Sequence, residues 1–193
     1  MSKLILNKKY NPLFQSDARY FIITGGRGSG KSFAVTAFLT LLTMTKGIRI
    51  LFTRFTMVSA HLSIIPEFLE KIGLLGFDDI FSINKTEVLN TSNQSDILFR
   101  GIKTSAGNQT ASLKSLQGIS CWVLDEAEEL IDEDIFDTID LSIREKDKQN
   151  RIILILNPVT KEHWIYKRFF EDKGVEAGFN GLRDNVCYIH STY

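Results

Sequence analysis

Residues 20–32, Tyr-Phe-Ile-Ile-Thr-Gly-Gly-Arg-Gly-Ser-Gly-Lys-Ser, constrain the fold of this chain more than any other stretch. Strand-forming residues run into a glycine-rich turn, and a lysine and a serine then open an apolar segment of helical length. Glycines allow the positive-φ conformations that turn successive backbone N–H groups toward one point. Between a strand and a helix start, such a turn makes an anion nest at the positive end of the helix dipole, and a polyphosphate is the ligand it suits. Gly25, Gly26, Arg27, Gly28, Ser29, Gly30, Lys31 and Ser32 satisfy G-x-x-x-x-G-K-[ST], the Walker A pattern, in the strand-loop-helix context that the pattern requires. Lys31 is then a point charge for the β- and γ-phosphates of ATP, and the Ser32 hydroxyl is a hard oxygen ligand for Mg²⁺.

The rest of the chain reads as a frame for that loop. Short β-rich runs recur at Tyr20–Thr24, Ile48–Phe52, Glu87–Asn90, Asp96–Arg100, Ser120–Asp125, Arg151–Leu156 and Val186–His190, several of them continuous rather than alternating, as in strands buried on both faces. Segments of helical length lie between them, at Lys31–Thr45, Met57–Ile72, Glu128–Leu141 and Lys161–Phe170, with Pro66 expected to kink the second or to start a new helix. Strands alternating with helices give a layered α/β fold with a mostly parallel sheet. "EVLNTSNQSDILFR" adds an antiparallel hairpin around Ser92–Ser95. At 193 residues without an internal linker or repeat, one domain over 1–193 is expected.

A second motif lies in "CWVLDEAEEL". Asp125 and Glu126 close an apolar strand, at the sheet edge that carries the phosphate loop. This is a Walker B arrangement: Asp125 holds magnesium, and Glu126 orients and polarises the attacking water. Glu128 and Glu129 read as helix-start charges. A third strand, "RIILILNPV", ends in Asn157, placed to sense the γ-phosphate or the attacking water.

Other features exclude more than they assign. Lys+Arg and Asp+Glu balance at 23 each, so any contact with nucleic acid must use a local patch. Cys121 and Cys187 lack metal-ligand spacing and read as buried thiols in a reducing compartment. Phe33–Met44 is the longest greasy segment and is too short for a membrane span, which leaves no membrane partner. His61, His163 and His190 share no ligand spacing, the acidic "IDEDIFD" reads as a solvated helix face, and "WIYKRFF" reads as a helix with Lys167 and Arg168 exposed. "TSAGNQTASLKSLQG", with Lys114 and preceded by Lys103, is either a relay loop or an ordinary surface loop.

Taken together, Gly-Gly-Arg-Gly-Ser-Gly-Lys-Ser, Leu-Asp-Glu-Ala-Glu-Glu and Leu-Asn-Pro resemble the ATPase domain of the large terminase subunit of tailed bacteriophages, over nearly the whole chain to the closing "YIHSTY". The resemblance implies an additional-strand, catalytic-glutamate P-loop NTPase fold of RecA-like type, a three-layer sandwich. It implies an Mg²⁺-dependent ATPase that drives double-stranded DNA into a preformed capsid. Further copies in a ring on the capsid portal and the small terminase subunit would be its partners, in the host cytoplasm. It also implies Arg27 as a catalytic arginine acting within its own subunit, Asn157 as part of the motif coupling hydrolysis to movement, and Tyr10 and Gln15 as adenine contacts. A guanidinium near the γ-phosphate would offset charge developing during transfer. Arg100 and Arg144 both stay open as an arginine reaching a neighbour's site. Nothing after Asn157 offers the length or carboxylates of the family's nuclease domain, so no DNA cleavage is expected of this chain. A DEAD-like helicase, on Asp-Glu-Ala-Glu, and a nucleotide-gated assembly ATPase are the alternatives.

Overall fold

The structure, a computed structural model, describes residues 5–57, 60–104, 107–108, 113 and 115–192. In chain order the main elements are α1 (Pro12–Gln15), β1 (Tyr20–Gly25), α2 (Lys31–Leu42), β2 (Arg49–Thr56), α3 (Ala60–Leu75), β3 (Phe81–Ile83), β4 (Glu87–Asn90) and β5 (Ser95–Thr104). Then come β6 (Gly107–Asn108), β7 (Ile119–Asp125), α4 (Glu133–Asp140), β8 (Arg151–Leu156), α5 (Trp164–Tyr166), β9 (Gly181–Arg183) and β10 (Val186–Ser191). All the strands join one sheet in the order β3-β4-β5-β2-β7-β8-β1-β10-β9, with β6 pairing β5 off that path.

The middle of the sheet, from β5 through β2, β7, β8 and β1 to β10, is parallel. Its strands are covered on both faces, which explains their continuous apolar runs; every residue of β7 is buried. One face packs Phe21, Ile23, Ile50, Phe52, Cys121 and Val123 beneath Val35, Phe38 and Leu39 of α2 and Phe68 of α3. The other packs Ile22, Leu51, Trp122 and Leu154 against Phe136 of α4 and Trp164 and Ile165 of α5. This is the expected three-layer α/β sandwich. The expected hairpin is present as β4 against β5, and β3 and β9 extend the two edges antiparallel. Cys121 and Cys187 are free and buried.

Four expectations need correction. α3 is one helix running through exposed Pro66, because burial of Ile64, Ile65, Phe68 and Ile72 on its core face outweighs the lost backbone bond. The segment Glu128–Leu141 is not one helix: a 3-10 turn at Ala127–Glu129 ends in extended Leu130, and α4 begins afresh with Asp132, whose side chain accepts from the Asp134 N–H. Glu133 and Asp134 are therefore the helix-start charges, and Glu128 and Glu129 are not. Arg168 is not a free exposed cation: it sits in a π-helical turn, Lys167–Glu171, that follows α5, and bonds Glu133 at 3.1 Å and Asp137 at 2.5 Å, so the acidic face of α4 is partnered. Arg100 lies inside β5 opposite Thr53, in agreement with the expected strand Asp96–Arg100. Lys114 and most of the segment around it fall outside the described residues, as does the side chain of His61.

Candidate active site

The parallel register sets the ends of β1, β2, β7 and β8 along one edge. Ile155 of β8 pairs with Asp125 of β7, and Leu156 with Thr24 of β1, so Asn157 emerges between the Walker B strand and the phosphate loop. β2 is tied to β7 by buried Thr53, whose hydroxyl donates to the Val123 carbonyl at 3.0 Å and accepts from the Trp122 indole at 2.9 Å. Arg54, the next residue, lies beside Asp125. Together they line a cleft of about 380 Å³ containing Arg27, Lys31, Ser32, Asp125, Glu126 and Asn157.

The loop is built as the glycines require. Gly30 caps α2 with φ 82°, a left-handed conformation that a side chain would strain. Gly25 lies so close to the end of β10 that a Cβ would stand 2.1 Å from the Ser191 carbonyl oxygen. The loop is also clamped from outside, since the Ser29 carbonyl accepts from the hydroxyls of Ser191 at 2.7 Å and Tyr10 at 3.1 Å. A smaller cleft bordered by Tyr10, Gly30, Phe33 and Ser191 opens there, while Gln15 is exposed at the end of α1. Arg27 is exposed on the cleft rim.

Inside the cleft the charges are held close and partly dehydrated. Lys31 is buried, and its ammonium donates to the carbonyls of Gly25 at 2.6 Å and Gly26 at 2.8 Å and to Asn157 Oδ1 at 3.4 Å. Desolvation pulls its pKa below the ordinary lysine value, against the fields of Glu128 and Asp125. Asp125 is buried at the end of β7, and desolvation pushes its carboxyl up, against the Arg54 guanidinium that bonds it at 2.8 Å. Arg54 also stands 3.6 Å from Glu126, whose carboxyl is likewise raised by desolvation. Glu126 has φ 53° and ψ 46°, an uncommon conformation for a non-glycine residue, where the strand breaks into the 3-10 turn.

The structure thus brings the Walker A loop, Asp125, Glu126, Asn157 and Arg27 to one cleft. Arg54 and Glu128 line it too, and sequence reasoning assigns neither of them there. Arg54 has a usable signal, a cation two residues past Ile48–Phe52 at the carboxyl end of a parallel strand. Glu128 has none, because its place depends on the helix breaking at Leu130.

An aspartate carboxylate and a serine hydroxyl are the hard oxygen donors that Mg²⁺ prefers, so Ser32 and Asp125 fit a divalent ion in a phosphate site. Among the described residues no group of three or more His, Cys, Asp or Glu side chains forms a metal cluster. No described helix is long and apolar enough to cross a membrane.

Comparison with known proteins gives the same fold. The phage terminase large subunit family matches residues 17–193. The large terminase of a thermophilic bacteriophage superposes with a TM-score of 0.73 over 98% of this chain and 46% of its own, at 13% identity. Structures of that terminase in complex with ADP and with ATP-gamma-S superpose similarly. The ATPase domain of the Thermus phage P74-26 large terminase gives 0.69 over 96% of this chain and 80% of its own, at 16% identity. The Phi-28 gp11 DNA packaging motor gives 0.68 over 95% and 59%, also at 16%. The chain spans about half the length of the thermophilic phage's terminase. No curated protein sequence matches it.

Proposed function

The chain belongs to the phage terminase large subunit family, and from that premise we propose that it is the ATP-hydrolysing motor domain of a DNA-packaging terminase, coupling hydrolysis to translocation of double-stranded DNA into a procapsid. The observation that carries the reading is the convergence of Lys31, Asp125, Glu126 and Asn157 on one cleft beside a glycine nest. Other copies in a ring on the portal, and a small terminase subunit, are the partners that fit this role, in the host cytoplasm.

The polyphosphate of ATP enters the nest between Gly25 and Ser32, and Lys31 exchanges the Gly25 and Gly26 carbonyls for phosphate oxygens. Ser32 and Asp125 would hold Mg²⁺, which would supply charge neutralisation at the phosphates. Glu126, raised toward basicity by desolvation, orients the attacking water and takes its proton. Arg27 on the rim stabilises charge developing on the γ-phosphoryl oxygens. Tyr10, which lines the smaller cleft beside the nest, and Gln15, exposed at the end of α1 outside that cleft, are the adenine contacts of this reading.

Glu126→Gln tests the assignment. Steady-state turnover should fall by about 100-fold or more, while affinity for a non-hydrolysable analogue stays within about threefold of the native chain, because Gln keeps the shape. Unchanged turnover would remove Glu126 from the mechanism.

A further inference from the structure

Asn157 lies between two groups of opposite hydrogen-bonding character. Its Nδ2 stands 2.5 Å from Glu128 Oε1, and its Oδ1 stands 3.4 Å from Lys31 Nζ. A carboxylate only accepts and an ammonium only donates, so both neighbours demand the same amide orientation. That settles which end of the amide is which by chemistry alone. The carboxylate is itself fixed at the backbone, where the Glu128 carbonyl lies 3.1 Å from Nε2 of His163, the cap of α5. Its second oxygen, Oε2, is buried and has no hydrogen-bond partner among the described residues. A half-satisfied buried carboxylate holds its one donor firmly, since losing that donor leaves both oxygens unpaired.

We propose that Glu128 is a positioning residue that locks the Asn157 amide with its carbonyl oxygen toward Lys31 and the phosphate site. Its part in turnover rests on the hydrolase reading above. With Nδ2 claimed by Glu128, Asn157 presents an acceptor to the cleft. An acceptor cannot bond a phosphate oxygen, but it can hold the Lys31 ammonium or a proton of the attacking water. Asn157 therefore acts on the lysine and the water rather than as a donor to the γ-phosphate, and Glu128, outside the Walker B pair, enforces that choice.

Two measurements test this. In the nucleotide-free chain, ¹⁵N-labelled at asparagine, the Asn157 side-chain amide should resonate away from the free-amide position and exchange slowly. Glu128→Ala should return it to that position, and Glu128→Gln, whose carbonyl oxygen can still accept, should keep most of the shift. An Asn157 amide signal identical in native protein and Glu128→Ala overturns the proposal, whether or not the chain hydrolyses ATP. The second measurement is a kinetic cycle. Glu128→Ala should lower kcat by about tenfold with KM little changed, and Glu128→Ala combined with Asn157→Ala should turn over no more slowly than Asn157→Ala alone. If the double variant loses the full product of the two single effects, Glu128 does not act through Asn157. Loss of turnover in the native chain would count against the hydrolase reading, with the amide signal still deciding the pairing.

Discussion

The two ends of the parallel strands both gather charge, and they do so differently. At the amino end, Asp140 accepts from Arg19 at 2.5 Å and from the Tyr20 hydroxyl at 2.8 Å, and Arg168 reaches it at 3.7 Å while bonding Glu133 and Asp137. Each carboxylate in that network meets an arginine held by others. At the carboxyl end, Lys31 rests on backbone carbonyls, Arg54 is shared between Asp125 and Glu126, and one oxygen of Glu128 has no hydrogen-bond partner among the described residues. The first network is saturated and ties α4 and the π-helical turn to β1. The second is satisfied by stand-ins, and it is the one that a phosphate and a divalent cation would complete. Paired charge alone thus does not mark a functional site, since ion pairs serve structure equally well; incompletely satisfied charge at the carboxyl edge of a parallel sheet does.

The comparison breaks if removing a charge at either end has the same consequence. Lys31→Ala should reduce turnover on the order of 10²–10³-fold, the scale of losing one preorganised donor to developing charge. Its thermal midpoint should move little, because removing a partly desolvated ammonium offsets the loss of its bonds to the Gly25 and Gly26 carbonyls. Calorimetry alongside a phosphate-release assay reads both.

Asp140→Ala should do the reverse. It removes the acceptor of the Tyr20 hydroxyl and the carboxylate partner of Arg19, which keeps its bonds to the Ile143 and Asp140 carbonyls, and a loss of about 1–3 kcal/mol in unfolding free energy is expected. Turnover per folded molecule should be unchanged. A matching fall in kcat would mean that the amino end communicates with the site and that the two networks are not separate.

These differences also bear on what is legible in the sequence. The central parallel strands and the phosphate loop can be read because their signals are local: continuous apolar runs, glycines at fixed spacing, and a lysine-serine pair at a helix start. Asp125, Glu126 and Asn157 follow from standing at strand ends. What escapes depends on contacts between elements. β9 gains strand form by pairing with β10, its own three residues offering no alternation. Arg168 reads locally as a solvated cation, whereas its partners come from α4, about 30 residues earlier in the chain. Local propensity assigns Glu128 to a helix that instead breaks at Leu130, where the Trp164 indole donates to the Leu130 carbonyl at 2.5 Å. A tertiary bond to that carbonyl replaces the helical one that propensity favours.

Between the two charged ends, the sheet interior supplies the mildest test. Burial pushes the Cys121 thiol up to about 12 and the Cys187 thiol up to about 11, so neither is a nucleophile in the folded chain near neutral pH. Alkylation should therefore require opening of the sheet, and its rate reports that opening. Asp140→Ala should speed labelling, having loosened the amino end, whereas Lys31→Ala should leave it unchanged. The same thiol gives an alkaline signature. In the unfolded chain Cys121 ionises near its ordinary value of 9.0, while in the fold it keeps its proton until about 12. Unfolding then releases a proton between those limits, so Cys121 draws down stability as pH rises above its ordinary value, by about 1.4 kcal/mol per pH unit, and contributes no pH dependence below it. Denaturant midpoints should drift down on the alkaline side, and Cys121→Ala, though less stable at neutral pH from the space it leaves, should show a shallower drift. Equal drift in both would place the alkaline weakness at the tyrosines or lysines instead, and the interior would join neither side of the contrast.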